Sequence, residues 1–265
     1  PLIIGVGVGE NFIASDIPAI IEYTKKAIYL LDNEIGVIKK DSVEIYDKED
    51  KLTPNRIEYL PFEAVAISKL GYKHFMLKEI HEQSDVVRNI LSGKLLSKND
   101  KIRLEEFKLN KEQIKNIKRV QIIACGTSLH AGMIGKYIIE KFAKIPTDVE
   151  PSSEYIYRDT IADENTLVIG ISQSGETADT ITAIKQEKAN NAHIVIITNR
   201  ADSTMARLAD SLLPVNAGIE VSVAATKSYM AQLISLYLLA MYMMEQKFDS
   251  FDLEEVTTQK QELLE

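Results

Sequence analysis

Several features that would assign the protein to a common class are scarce in this sequence. A single cysteine, Cys125, excludes an internal disulfide. The longest apolar run, residues 231–244, contains tyrosines and is shorter than the roughly 20 residues that a transmembrane helix needs. A formal net charge of -8 leaves no basic surface for a nucleic-acid backbone. Since there is also no signal-peptide pattern, we expect a cytoplasmic globular protein that binds neither nucleic acid nor a membrane.

Three ligand-binding patterns are also missing. There is no G-x-x-x-x-G-K-[ST], which argues against a nucleoside triphosphate held with magnesium. Gly5, Gly7 and Gly9 lack the G-x-G-x-x-G spacing of a dinucleotide-binding loop, so they predict a glycine-rich strand end. His74 and His81 lack the H-x-x-x-H spacing that places two ligands on one helical turn. We therefore expect no metal and no cofactor.

The first part of the sequence is β-type. Short apolar and β-branched runs separated by turn residues fill roughly the first 50 residues and predict antiparallel hairpins. The following KLTPNRIEYLPFE has two prolines and no clear period, which predicts a connecting segment. HFMLKEIHEQSDVVRNILSGK then predicts a helix that stops at Gly93. Its apolar stripe consists of Met76, Ile80, Val87 and Leu91.

From Val120 onward, strand-like runs alternate with helical patterns. The strand-like runs are VQIIAC, PTDVE, TLVIGIS, HIVIITN and SLLPVN, and strands that are nearly all apolar are those buried on both faces. This pattern predicts a parallel sheet between layers of helices, with ligands beyond the carboxyl ends of its strands, near the point where the strand order reverses. Tyr229, Tyr237 and Tyr242 on the last helix are predicted to be packing or interface residues.

Two of the predicted strands end in loops rich in glycine and hydroxyl groups, IIACGTSLHAG and VIGISQSGETAD. Each loop leads into a helix, whose first-turn N–H groups and dipole attract an anion. The candidate donors are Gly126, Thr127, Ser128, Ser172, Gln173, Ser174, Gly175 and Thr177. Because neither loop contains a lysine, the pattern favours one terminal phosphate group. The alternative is that these hydroxyls only cap their helices.

SQSGETADT, CGTS and EVSVAATKSY resemble the sugar isomerase (SIS) domain family. Together with GVGVGENFIASD and HFMLKEIHEQ, in this order, they resemble the glutamine-fructose-6-phosphate aminotransferase family over the whole chain. The resemblance implies an α/β fold with a flavodoxin-like three-layer sandwich, preceded by a small β-rich remnant of an N-terminal nucleophile hydrolase domain. The implied segments are the end of the glutaminase domain (1–68), linker helices (69–110), the first SIS domain (111–250) and the start of a linker to a second SIS domain (251–265).

The resemblance also implies a ligand and its contacts. Fructose 6-phosphate or glucosamine 6-phosphate would be held by Ser172, Gln173, Ser174 and Thr177, with support from Thr127 and Ser128. Val223 would lie near the sugar, and Ala225 stands where close relatives often have serine. SIS domains usually pair, so a homodimer is implied. The parent enzyme would convert fructose 6-phosphate and glutamine into glucosamine 6-phosphate and glutamate.

The same resemblance implies that no catalytic residue lies in this segment. The glutaminase nucleophile would be an N-terminal cysteine, which Pro1 cannot replace, and Cys125 is predicted to be a buried, inert thiol. The base, the ring-opening histidine and the imine-forming lysine of the family belong to the second SIS domain and its tail. No second SQSGET or CGTS occurs here. We therefore expect sugar-phosphate binding without turnover.

Two residues within the motifs invite a catalytic assignment. Glu176 could be a base, but a role at a helix N-terminus or in a loop hydrogen bond is more ordinary. Lys227 could form an imine, but a solvated lysine near a helix start is the more ordinary interpretation. Two alternatives for the whole chain stay open, a stand-alone phosphosugar isomerase working as a homo-oligomer and a non-enzymatic module that senses sugar phosphates.

Overall fold

The computed structural model describes residues 2–15, 17–21, 23–60, 69–95, 101–248, 257–258 and 260–262. Its contacts divide the chain into two units, Pro1–His74 and Phe75–Glu265. The predicted domain boundary at residue 68 and most of the predicted linker at 251–265 lie outside the described residues.

The described part of the first unit forms two antiparallel sheets, with strand orders β2-β1-β3-β7 and β4-β5-β6. The strands are β1 (Ile3–Val6), β2 (Asn11–Ala14), β3 (Lys26–Tyr29), β4 (Ile35–Ile38), β5 (Val43–Tyr46), β6 (Leu52–Thr53) and β7 (Glu58–Tyr59). The predicted hairpins are thus confirmed. The prediction of a mere connection for KLTPNRIEYLPFE was wrong, because β6 and β7 lie in it. Two-residue strands are too short to display a period.

The second unit is built on a five-stranded parallel sheet with the order β12-β11-β10-β8-β9. Its strands are β8 (Arg119–Ala124), β9 (Thr147–Pro151), β10 (Thr166–Ser172), β11 (His193–Thr198) and β12 (Ser211–Pro214). Counted along the chain this order is 2-1-3-4-5, the flavodoxin-like arrangement. The order reverses between β8 and β10, so the loops after these two strands leave the same edge side by side.

Helices cover both faces of this sheet, as the sequence predicted. They are α1 (Phe75–Leu91), α2 (Lys111–Asn116), α3 (Gly126–Phe142), α4 (Ser152–Tyr155), α5 (Ala178–Ala189), α6 (Thr204–Leu208) and α7 (Lys227–Lys247). One core joins Ile122 and Ile169 of the sheet to α1, α2, α3 and α7, and the other joins Ile123 and Val168 to α4, α5 and α6. Within the described residues, no helix is long and apolar enough to cross a membrane.

Helix α1 buries a different face from the one its apolar stripe predicted. It ends at Leu91 before Gly93, as expected, but Met76 and Ile80 are 43% and 42% exposed. The buried positions are Lys78, Glu79, Val86, Ile90 and Leu91. The stripe prediction was wrong for the first half of the helix because Glu79 accepts hydrogen bonds from a distant loop and Lys78 pairs with Glu82 on the same helix.

The tyrosines of α7 behave as predicted packing residues. Tyr229, Tyr237 and Tyr242 are half-buried against the larger core. The Tyr242 ring meets the ring of Phe107 edge-on, with centroids 5.8 Å apart, a favourable aromatic geometry.

Candidate functional site

A pocket of about 240 Å³ opens at the carboxyl ends of β8 and β10, next to the reversal of strand order. It is lined by Cys125, Thr127, Ser128, Ile171, Ser172, Gln173, Ser174, Thr177, Glu220, Ser222, Val223 and Ala225. The structure thus brings together the seven residues that the resemblance implied as ligand contacts, whereas Gly126 and Gly175, which were also candidate donors, are not among the lining residues. None of the described lining residues is Lys or Arg, so the polar surface is dominated by neutral hydroxyl and amide groups.

Two helices that begin at this pocket, α3 and α5, have no side-chain caps. Cys125 and Thr177 occupy the N-cap positions of α3 and α5, and neither side chain bonds to the first turn of its helix. By contrast, Ser203 caps α6 by accepting a hydrogen bond from the Ala206 N–H. The helix-capping alternative is therefore wrong for Thr177. Its hydroxyl lies 3.0 Å from the Ser172 hydroxyl instead.

The loop after β10 is held in a tight conformation by its own contacts. Ser172 Oγ accepts a hydrogen bond from the Gly175 N–H at 3.0 Å. Gly175 has a φ of +67°, and a Cβ added there would lie 2.1 Å from Ser203 Oγ. Only glycine adopts this left-handed backbone conformation without strain and also fits beside Ser203. The hydroxyl groups of this loop are therefore already arranged in the ligand-free structure.

Glu176 supports the neighbouring helix, as its ordinary interpretation predicted. Its Oε1 atom accepts a hydrogen bond at 2.8 Å from the N–H of Thr204, the first residue of α6. A carboxylate at a helix N-terminus is favoured by the dipole. The side chain is not among those lining the pocket, and its carboxylate is engaged in the fold.

A third helix, α7, also begins near the pocket, but a carboxylate already occupies its N-terminus. Glu220 Oε1 accepts hydrogen bonds from the N–H groups of Thr226 at 2.9 Å and Ser228 at 3.2 Å. This contact leaves the starts of α3 and α5 as the electropositive ends that face the pocket. The resemblance had already placed Val223 of EVSVAATK near the sugar, but sequence reasoning did not nominate Glu220 and Ser222, which also line the pocket.

Cys125 is half-buried and lines the pocket. Its thiol lies 3.2 Å from the Ser152 hydroxyl. The prediction of a fully buried thiol was wrong because the residue follows the last position of β8, where the chain turns from the sheet into α3.

Lys227 is almost entirely buried, with 4% of its surface exposed. Its Nζ atom lies 2.7 Å from Glu82 Oε2, and Lys78 Nζ lies 3.2 Å from Glu82 Oε1. Burial would raise the pKa of Glu82, but hydrogen bonds and charge from the two lysines lower it below its usual range. The prediction of a solvated lysine was wrong, since the paired carboxylate of α1 made burial of the ammonium group possible.

A larger cavity, of about 540 Å³, lies at the amino ends of the strands and is lined in part by His193, Glu164 and Asp210. Lys188, which also lines this cavity, pairs with Asp210, and ligands of open α/β sheets bind at the opposite edge. Among the described residues there is also no group of three or more His, Cys, Asp or Glu that could hold a metal ion. The pocket beyond β8 and β10 is therefore the candidate site.

Comparison with known proteins assigns the chain to a family. Residues 113–242 match the SIS domain. The chain is 44% identical over 264 residues to the isomerizing glutamine-fructose-6-phosphate aminotransferase of Clostridium tetani, and 49% identical over 240 residues to that of Methanosarcina mazei. The chain belongs to the glutamine-fructose-6-phosphate aminotransferase family.

Solved structures agree with this family. The C-terminal domain of glucosamine-fructose-6-phosphate aminotransferase from Francisella tularensis matches 74% of this chain and 54% of that domain's chain, with 39% identity and a TM-score of 0.67. The glucosamine-6-phosphate deaminase of Thermotoga maritima, at 22% identity and a TM-score of 0.54, shares the fold. The chain spans 43% of the Clostridium relative's length and 39% of the Methanosarcina relative's.

Proposed function

We propose that this chain carries the sugar-phosphate-binding SIS domain of an enzyme that converts fructose 6-phosphate and glutamine into glucosamine 6-phosphate and glutamate. The observation that carries the proposal is the convergence of two hydroxyl-rich loops on one pocket, at the starts of two helices without side-chain caps. Family membership makes a sugar phosphate the expected anion. The residues before the SIS domain then correspond to the end of a glutaminase domain.

In this proposal the two loops hold the phosphate group. Ser172, Ser174 and Thr177 donate from their hydroxyl groups, and Gln173 adds its side-chain amide. Thr127 and Ser128 support the phosphate from the loop after β8. Because all of these donors are neutral, the positive ends of the α3 and α5 dipoles supply the electrostatic attraction for the dianion.

The proposed role of this domain is binding rather than proton transfer. Among the lining residues that the structure describes, only Cys125 and Glu220 have ionisable side chains. The Cys125 thiol donates to the Ser152 hydroxyl, and the Glu220 carboxylate is engaged at the start of α7. A 1,2-proton shift needs a base within hydrogen-bond reach of the sugar. Glu176 and Lys227, the two tempting candidates, are bound to Thr204 and Glu82. The base must therefore come from outside this pocket lining.

The family comparison favours this function over a sensor module or a stand-alone isomerase. The Clostridium aminotransferase aligns with 264 residues of this chain, including the β-rich first unit. Neither a sensor module nor a stand-alone isomerase requires this β-rich first unit.

We also propose a cytoplasmic location and a homodimer. A lone thiol without a disulfide partner suits a reducing compartment. Exposed apolar side chains on α3, at Met133, Ile134 and Tyr137, provide surface that a second copy can cover. Light scattering on the purified protein tests the dimer, which a monomeric mass would contradict.

Ser174→Ala and Thr177→Ala test the phosphate-binding loops. Each change removes one hydroxyl donor, so we expect each to weaken fructose 6-phosphate binding about tenfold. Isothermal titration calorimetry measures the dissociation constants, with fructose as the ligand that lacks the phosphate. Thr182→Ala is the matched control, because Thr182 is exposed on α5 and bonds only to Ala178 O among its recorded contacts. Unchanged affinity in both loop variants would contradict the proposal.

A further inference from the structure

A group of charged side chains lies buried beside the pocket without lining it. Lys78, Glu79 and Lys227 are 5%, 2% and 4% exposed. Burying a charge is costly unless partners compensate for it. Lys78 and Lys227 share the carboxylate of Glu82. Glu79 has a different set of partners, and these connect it to the pocket.

All recorded partners of the Glu79 carboxylate belong to one segment of the pocket wall. Glu79 Oε1 accepts hydrogen bonds from the N–H groups of Val221 at 2.6 Å and Ser222 at 3.3 Å, and Oε2 accepts from the Ser222 hydroxyl. These donors lie more than 140 positions further along the chain. We call Glu220–Thr226 the wall segment, since it contributes four of the residues that line the pocket, Glu220, Ser222, Val223 and Ala225.

The wall segment has few other anchors near its centre. Its far end is fixed where Glu220 binds the start of α7. Val223, at its middle, is fully exposed, and the segment has no regular secondary structure. Two backbone N–H groups that both point at one carboxylate fix the orientation of the peptide units around them. Glu79 therefore fixes the backbone direction at Val221 and Ser222, and with it the position of the next residue, Val223.

We propose that Glu79 is a positioning residue that holds the wall segment in the shape that receives the sugar portion of the ligand. This inference rests on the proposed function. The phosphate donors belong to the loops after β8 and β10. Ser172 contacts Gly175 and Thr177 in the second loop, and Ser128 in the first accepts a hydrogen bond from Gln232 Nε2, so none of these contacts involves Glu79. The wall segment carries none of the assigned phosphate donors, so its placement affects the sugar ring and chain rather than the phosphate.

Glu79→Ala and Glu79→Gln separate this role from a general structural one. Titrations with fructose 6-phosphate and with inorganic phosphate are made on each variant, together with thermal unfolding. We expect Glu79→Ala to weaken fructose 6-phosphate binding about tenfold while phosphate binding changes less than twofold. Glu79→Gln, which keeps one acceptor oxygen and the shape of the side chain, is expected to give a smaller loss. Asp85→Ala is the control, since Asp85 is an exposed carboxylate on the same helix.

A parallel loss of affinity for both ligands, or no loss for either, would overturn the inference. If Glu79→Ala does not fold, the same comparison is made with Glu79→Gln. The amide NMR signals of Val221 and Ser222 give a ligand-independent readout, which must shift in the variants if the carboxylate holds these groups. Failure of the wild-type protein to bind either ligand, with these signals shifted, would reject the proposed function but leave the clamp by Glu79 intact.

Discussion

The phosphate loops and the wall segment form parts of the same pocket but are held in different ways. The loop after β10 is organised by contacts among its own residues, such as Ser172 with Gly175 and Thr177, and by hydrogen bonds from the Asn199 and Met205 N–H groups to its carbonyls. The wall segment depends on Glu79, on a helix more than 140 residues earlier. None of these loop contacts involves α1, whereas the contacts of Glu79 with the wall segment require that α1 is docked. We therefore expect that a mutation can disturb the wall segment without disturbing the phosphate loops.

Gly175→Ala is expected to have the largest effect and tests the phosphate-loop half of this comparison. The new Cβ meets Ser203 Oγ at 2.1 Å in a left-handed backbone conformation. We expect a loss of about 3 kcal/mol in the free energy of unfolding, together with loss of phosphate binding. Urea denaturation and phosphate titration measure the two effects.

Gly126→Ala is the matched control for that change. Gly126 also has a positive φ, of +56°, but nothing lies within 4 Å of an added Cβ. Only the backbone cost applies, about 1 kcal/mol. Equal losses in the two variants would show that close packing against Ser203 does not hold the loop.

Lys227→Met tests the attachment of α1, which carries Glu79, and is expected to have a smaller effect. Lys227 on α7 pairs with Glu82 on α1. The change leaves Glu82 with Lys78 as its remaining recorded cation, and Glu82 keeps 29% of its side chain exposed. We therefore expect a loss of about 2 kcal/mol in unfolding free energy, less than for a fully isolated buried charge. Chemical denaturation measures this loss, with Lys185→Met, an exposed lysine on α5, as the control.

Phosphate binding by the folded Lys227→Met protein provides the sharper comparison. The loops after β8 and β10 do not contact this ion pair in any recorded hydrogen bond, so phosphate affinity is expected to stay within about twofold. A large loss would mean that the two halves of the pocket are coupled, which contradicts the separation described above.

The sequence was sufficient for much of the sheet and for the phosphate loops. Strands buried on both faces are visible as apolar runs, and TLVIGIS followed by SQSGET marks both the end of β10 and the start of α5. The start of helix α2 could also be predicted from the sequence, because Asn110 and Gln113 form a capping box, which is a recognisable start signal. Helix α4, with four residues, is too short to show a period.

The polar face of α1 could not be predicted in the same way. Glu79 and Lys78 look like ordinary solvated residues in HFMLKEIHEQ, while Met76 and Ile80 look like core. Their actual burial is reversed because Glu79 binds Val221 and Ser222, which lie far along the chain, and because Lys78 pairs with Glu82, which also binds the distant Lys227. Periodicity reports only what is local to a helix, so the clamp on the pocket wall needed the tertiary structure.

A crystal structure with fructose 6-phosphate is the most direct test of the central claim, that two uncapped helix starts and their hydroxyl loops form one phosphate site. The account predicts the phosphoryl group within hydrogen-bond distance of the Ser174 and Thr177 hydroxyls, at the starts of α3 and α5. A phosphoryl group bound elsewhere, for example in the cavity near His193, would contradict it.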